Sequence, residues 1–330
     1  MPPYNSFFIF LTKNNNHMAS IFLYLPHTSL YLPHTSLFPL FFLPFIKKTL
    51  TLHHHHSISP INPLYSMEIS SPQNPKIKHF IALQQKSLER RKSGLFVVEG
   101  LRELSHCIHA GYRIHSLFVC PSILADKPLP PLPEDIRAYE VTPEVYARMA
   151  YREGTEGLMA VVEAKQHSLQ DLHLPEKPLV IVLERVEKPG NLGAILRSAD
   201  AAKADAVIVC DPLTDLYNPN LVRSSIGAVF TVPSVVCTSE ECIAFLKQRS
   251  IRILTAQLQD SRLYYDTDMR SATAIVMGTE ATGLTQQWRT AADAHIRIPM
   301  LGRLDSLNVS VSAAILLFEA VRQRHANNDE

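Results

Sequence analysis

Residues 179–211 read LVIVLERVEKPGNLGAILRSADAAKADAVIVCD, and this stretch decides the architecture. Leu179–Val186 is an apolar, β-branched run of the kind that suits a strand buried on both faces of a sheet. The polar turn Glu187–Asn191 contains Pro189 and Gly190, and it leads into the small, apolar helix expected over Leu192–Ala202. Ala206–Asp211 (AVIVCD) returns to the strand pattern. Strand, turn, helix and strand predict an α/β fold with a parallel sheet. In such sheets, turns at the carboxyl ends of strands are where ligands bind. The turn is no dinucleotide fingerprint, because GxGxxG is absent, and no Walker loop, because no GK[ST] follows.

Two further loops belong with this one. Ala274–Met277 (AIVM) is a second buried-strand pattern, and it opens onto Gly278-Thr279-Glu280-Ala281-Thr282-Gly283-Leu284. Glycines bracketing a carboxylate allow a close ligand approach, but a sharp turn alone accounts for them equally well. A last strand at His295–Ile298 precedes Pro299-Met300-Leu301-Gly302 and then Ser306-Leu307-Asn308-Val309-Ser310, ahead of a long helix at 312–324. Helix capping explains one polar residue of that start, though not three. Arg197 lies six residues after Asn191 on an otherwise small, apolar helix. It reads either as an exposed helix arginine or as a member of a polar site.

Upstream, residues 67–164 form a smaller α/β pattern, followed by a proline-bearing linker at 165–178 and the main domain at 179–330. A helix is expected over 77–92, then a βαβ unit from Leu95–Val98 through 100–110 to Ile114–Cys120. Lys86, Arg90 and Arg91 sit in the most basic stretch of the chain. Such a run is either a solvated face or a phosphate-contacting patch, and spacing does not choose between them.

Residues 1–66 are of another kind. They contain Lys13, Lys47 and Lys48, no arginine and no acid, and they repeat YLPHTSL at 24–30 and 31–37. Prolines 26, 33, 39 and 44 interrupt the apolar run at 21–46, which argues against a membrane helix. A secretory signal lacks its charged start and cleavage site. A non-globular extension, not necessarily part of the native product, is the expectation. The His53–His56 tract has no Cys, Asp or Glu nearby, so it reads as incidental rather than as a metal site.

The whole chain of 330 residues carries 32 basic and 31 acidic side chains, which excludes a uniformly basic nucleic-acid binder but not a local patch. Its five cysteines form no CxxC pair. Their scattered spacing argues against a disulfide framework and against a zinc cluster, and it points to a reducing compartment such as the cytoplasm. No metal is expected, since Asp, Glu and His do not cluster at ligand spacing near the three loops.

The spaced set Asn191, Gly193 and Arg197, the MGTEATGL loop at 277–284 and IPMLGRLDSLNVSVSAA at 298–314 resemble the three signature motifs of the SpoU family. These are RNA ribose 2′-O-methyltransferases of the SPOUT superfamily. Residues 69–163, with FVVEGLREL at 96–104, resemble the family's RNA-substrate domain. The resemblance runs from about Ile69 to His325 and does not reach residues 1–66. It implies a C-terminal SPOUT domain with a deep trefoil knot, S-adenosylmethionine as methyl donor, and a homodimer. It further implies polar site positions at Asn191, Arg197, Glu280, Ser306 and Asn308, with Arg197 the catalytic residue. Donor contacts are implied at Gly278, Ile298, Met300 and Leu307. Ribosomal RNA is the expected substrate ahead of transfer RNA. The loop Leu301–Asp305 departs from the family pattern, with bulky Arg303 and Leu304 where small residues are common.

Methyl transfer to a ribose hydroxyl needs an electrophilic methyl, in-line geometry and loss of a proton. Arginine is an unusual base, because its guanidinium ordinarily keeps its proton below a pH of ~12. Two roles therefore stand open, base or charge that fixes the neighbouring phosphate and polarises the hydroxyl. A non-catalytic RNA-binding module on the same fold is the competing reading. Retention of both Arg197 and Asn308 weighs against it. A nicotinamide enzyme fails for want of the glycine fingerprint.

Overall fold

The computed structural model describes residues 8–13, 19–25, 28–30, 67–133, 136–151, 156–280 and 282–325. In the first segment, strands β1 (Phe8–Lys13), β2 (Ala19–Leu25) and β3 (Thr28–Leu30) pair antiparallel in a small sheet of their own. Part of the expected non-globular extension thus carries paired strands, and its remaining residues, the His tract included, lie outside the described residues. Among the described residues no helix is long and apolar enough to cross a membrane.

The N-terminal half of the body holds β4 (Met67–Ile69), α1 (Pro75–Gln85), α2 (Ser87–Ser93), β5 (Leu95–Glu99), α3 (Leu101–His109) and β6 (Ile114–Val119). The short α4 (Pro121–Leu124), β7 (Ala138–Val141), α5 (Pro143–Met149) and β8 (Leu158–Glu163) complete it. The sheet order is β4-β7-β6-β8-β5. The expected βαβ unit is therefore split. β8 inserts antiparallel between β5 and β6, pairing with both. The single helix expected over 77–92 is also broken, because Lys86 adopts an extended conformation (φ −118°, ψ 110°). At the break, Arg90 donates to the carbonyls of Leu83 and Gln84 (2.5 and 3.1 Å), which α1 leaves without intrahelical donors. The Thr142 cap read from sequence is present, its hydroxyl accepting from the Val145 amide.

The C-terminal half follows as β9 (Leu179–Glu184), α6 (Pro189–Ala201), β10 (Ala206–Cys210), α7 (Pro219–Ser224), α8 (Ala228–Thr231), β11 (Ser234–Cys237) and α9 (Ser239–Gln248). Next come β12 (Arg252–Ala256), β13 (Arg262–Leu263), β14 (Thr273–Met277), α10 (Gln286–Ala291), β15 (Ala294–Arg297) and α11 (Val309–His325). All seven strands run parallel, in the order β11-β10-β9-β14-β12-β15-β13. β9 and β14 are buried along their whole length, which is why their sequences are unbroken apolar runs. The chain walks outward from β9 to β11, then crosses to the other side of the sheet. The reversal lies between β9 and β14, and a crevice at such a point is where open parallel sheets take ligands.

The two halves share one core. Phe96, Val98 and Leu158 of the first sheet join Ile181, Ile195 and Leu316 of the second half in one continuous buried cluster. Phe96 stacks on Tyr217 with centroids 4.2 Å apart, and Tyr112 meets Phe230 edge-on at 5.1 Å. The intervening stretch expected as a linker is ordered, with Leu169 and Leu172 buried.

Candidate active site

Glu280 is the hub at the switch point. It follows β14 in a tight loop closed by two backbone hydrogen bonds, Thr279 N–H to the Gly283 carbonyl (3.3 Å) and Gly283 N–H to the Thr279 carbonyl (3.0 Å). Its Oε1 accepts from Asn191 Nδ2 at 3.0 Å and from Asn308 Nδ2 at 2.9 Å, and its Oε2 accepts from Lys188 Nζ at 2.9 Å. Asn308 also donates to Asn191 Oδ1 at 3.1 Å. The three loops read from the sequence thus meet on one carboxylate. Val186, Lys188, Asn191, Gly278, Thr279 and Val309 line a cleft of about 130 Å³ around it.

Local chemistry explains each placement. Pro189 opens α6 at the position where its missing N–H costs nothing, which sets Lys188 and Asn191 at the helix start. Asn308 caps α11. Its Oδ1 accepts from the Ser310 amide (3.0 Å) and hydroxyl (2.6 Å), and its carbonyl accepts from Ser312. The motif-three polar run is therefore partly a cap, as expected, while the Asn308 amide nitrogen is left for the hub. Gly193 lets α7 press against α6, since an ideal Cβ there would collide with Ser224 Oγ and lie 2.8 Å from the Ser225 nitrogen.

The electrostatics are those of a pinned anion. The Lys188 hydrogen bond holds the Glu280 carboxyl below its usual range, and Glu280 in turn raises Lys188. The sequence reading missed Lys188, although its position beside the first motif was a signal. It also missed Glu184, a buried acid inside the apolar run of β9. Glu184 accepts from the Thr285 amide (2.8 Å) and hydroxyl (2.7 Å), and so anchors the far end of the Glu280 loop.

Other expected residues stand apart from the hub. Arg197 is exposed on α6, and no hydrogen bond or ion pair of its guanidinium occurs among the described residues. Ser306 is exposed and donates to its neighbour Asp305 (3.2 Å), not to Glu280. Ile298 packs against the core, Met300 is half-buried and Leu307 is exposed.

Arg90 corrects the expected RNA-facing set. It is buried (5% exposed) and makes a bidentate pair with Asp215, at 3.0 and 2.7 Å. A guanidinium committed on both edges has nothing left for a phosphate, whereas Lys86 and Arg91 are exposed. The cysteine spacing needs a correction too. Cys210, Cys237 and Cys242 come together in space, although no CxxC links them.

Residues 178–318 match the model of the SpoU rRNA Methylase family, and residues 74–160 match the MRM3-like substrate binding domain. The 23S rRNA (uridine(2479)-2′-O)-methyltransferase of Streptomyces viridochromogenes is 30% identical over 262 residues, covering 76% of this chain and 91% of that one. A crystal structure of an RNA 2′-O ribose methyltransferase superposes with a TM-score of 0.67 at 35% identity, covering 78% of this chain and 100% of that one. The AdoMet-bound rRNA methyltransferase from Sinorhizobium meliloti has a TM-score of 0.70 at 29% identity, covering 78% and 98%.

Proposed function

This chain belongs to the SpoU rRNA methylase family, and from that premise we propose that it transfers a methyl group from S-adenosylmethionine to a ribose 2′-hydroxyl of ribosomal RNA. The observation that carries the reading is the meeting of Asn191, Lys188 and Asn308 on Glu280 at the switch point of the sheet. The 23S rRNA named for the Streptomyces relative supplies the substrate class.

The residues present fit the methyl donor. An ideal Cβ on Gly278 would lie 2.6 Å from the Leu284 nitrogen, so the loop wall must be bare backbone, which offers peptide donors and acceptors at close range. Gly278, Ile298, Met300 and Leu307 would hold the donor, which supplies an electrophilic methyl when bound.

The chain's own groups do the rest. Glu280, tied by three side-chain donors, is a poor proton acceptor and acts as a positioning residue. It keeps the starts of α6 and α11 together at the cleft. Arg197 offers five N–H donors and no acceptor, so we assign it to clamp the phosphate beside the target ribose and polarise the hydroxyl. Ser306, exposed on the same loop as Leu307, is assigned to the ribose side of the site.

Exposed Lys86 and Arg91 are the phosphate contacts of the RNA-facing surface in this reading. The apolar side chains Leu301, Leu304, Val311 and Phe318 stand exposed on the last loop and α11, and a second copy of the chain is the partner that would cover them, making a homodimer. None of the five cysteines forms a disulfide, in keeping with a reducing compartment such as the cytoplasm. The reading also includes the trefoil knot of the SPOUT fold around the same three loops.

The test is incubation of the purified chain with radiolabelled S-adenosylmethionine and ribosomal RNA, followed by mapping of ribose methylation. Arg197→Ala is expected to fold and bind donor, yet to lose transfer by about a hundredfold or more, within the range of positioned acid–base and electrostatic groups. Near-normal single-turnover transfer by that variant would remove Arg197 from the mechanism. Arg197→Lys keeps the charge without the planar fork, so failure to rescue is the expected result for a bidentate phosphate clamp.

A further inference from the structure

Cys210 ends β10, Cys237 ends the neighbouring edge strand β11, and Cys242 lies in the first turns of α9. The two strands are parallel and in register at Cys210 and Cys237, so these side chains leave the same face of the sheet. Thr238 caps α9 immediately after β11, with Glu241 completing a capping box, and this folds the helix back over the strand ends and brings Cys242 to the pair. The three Sγ atoms all lie within 4.8 Å of one another, and Cys210 and Cys237 Sγ are 4.0 Å apart. All three thiols are free; Cys210 and Cys242 are buried, and Cys237 is half-buried, which gives the cluster a route to solvent.

The geometry points to a three-thiolate site for a soft, thiophilic cation, with copper(I) the best fit. Sulfurs bound at ~2.3 Å to one ion in a trigonal plane stand about 4.0 Å apart, so the Cys210–Cys237 pair already has the spacing that such an ion imposes. Zinc would call for a fourth ligand in a tetrahedron. No histidine or carboxylate among the described residues joins the three thiols at the same reach. The adjacent carboxylate of Asp211 is engaged by the Ser239 hydroxyl (2.6 Å) and amide (3.2 Å). A soft, all-sulfur donor set of three selects copper(I) over harder ions. On binding, each thiol forms one sulfur–metal bond and releases its proton to water, and the ion stays monovalent. The bound ion would clasp the edge strand β11 and the start of α9 to the body of the sheet.

The test is an anaerobic titration of the reduced full-length chain against copper(I) held by bicinchoninate, with a parallel arm using zinc(II) held by a chromophoric chelator. One equivalent of copper(I) should be withdrawn per chain, and little zinc. Cys237→Ser and Cys242→Ala should each lose this withdrawal, and thermal melting should show both variants folded. Cys120→Ser, a substitution in the N-terminal half, should keep it. Copper left with the chelator by the wild type would overturn the proposal. So would copper capture retained in the Cys237 and Cys242 variants, loss of capture in the Cys120 control, or zinc withdrawn in preference to copper.

Discussion

At the scale of single residues, the hub carboxylate sets a pH dependence. Because the Lys188 hydrogen bond depresses Glu280, its folded value lies below that of a free glutamate, ~4.3. The contribution of the charged hub is complete above that ordinary value and is lost as pH falls through the lower folded one. Methyl transfer followed through this acid window should therefore show a limb that disappears in Glu280→Gln. Glu280→Ala should impair transfer more than Glu280→Gln, because an amide oxygen still accepts from Asn191 and Asn308. Equal impairment, or an unchanged acid limb in the glutamine variant, would separate Glu280 from the site. The motif residues Asn191, Glu280 and Asn308 were legible in the sequence because their spacing placed each at a strand end or helix start. Lys188 and Glu184 were not, since one reads as an ordinary turn lysine and the other as a stray acid in an apolar strand. Their partners lie 92 and 101 residues away.

Among the elements, the packing of α6 against α7 is the tightest dependence on one residue. Gly193→Ala places a methyl carbon against Ser224 and the Ser225 backbone. It should cost about 1–3 kcal/mol of stability, as overpacking does. Calorimetric melting measures this, and an unchanged melting temperature would show that α7 yields freely. The α1–α2 pair carries a second expectation. Reversal of Lys86 and Arg91 to Glu should weaken RNA binding and lower the log–log salt slope by ~0.7–0.9 for each phosphate no longer neutralised. Donor affinity should not move, and an unchanged slope would return both residues to plain surface. The strand and helix content of the C-terminal half was legible because its strands are unbroken apolar runs. The break at Lys86 was not, because helical periodicity runs on through 77–92. What interrupts it is Arg90 turning inward to a partner on another element. Periodicity registers a charge in a basic run; it does not register which member of the run points in.

For the whole molecule, the Arg90–Asp215 pair ties the N-terminal sheet to the C-terminal half alongside the Phe96–Tyr217 stack. Arg90→Met should cost on the order of 3 kcal/mol, the lower end for breaking a buried pair, because Asp215 keeps some exposure to solvent. The double variant with Asp215→Asn should cost less than the two singles added together, since the partners are coupled. Strict additivity in chemical denaturation would deny the pair its role. The division into two halves was visible in the sequence as two α/β patterns with prolines between them. Their fusion was not, because the shared core is built from pairings such as Phe96 with Phe230 that no local pattern encodes. That fusion makes the molecule a calliper. With the gripping surface and the reacting cleft joined through one core, the span between them is a set length. The nucleotide chosen is then decided by how far it lies, along the folded RNA, from the place where the RNA is held.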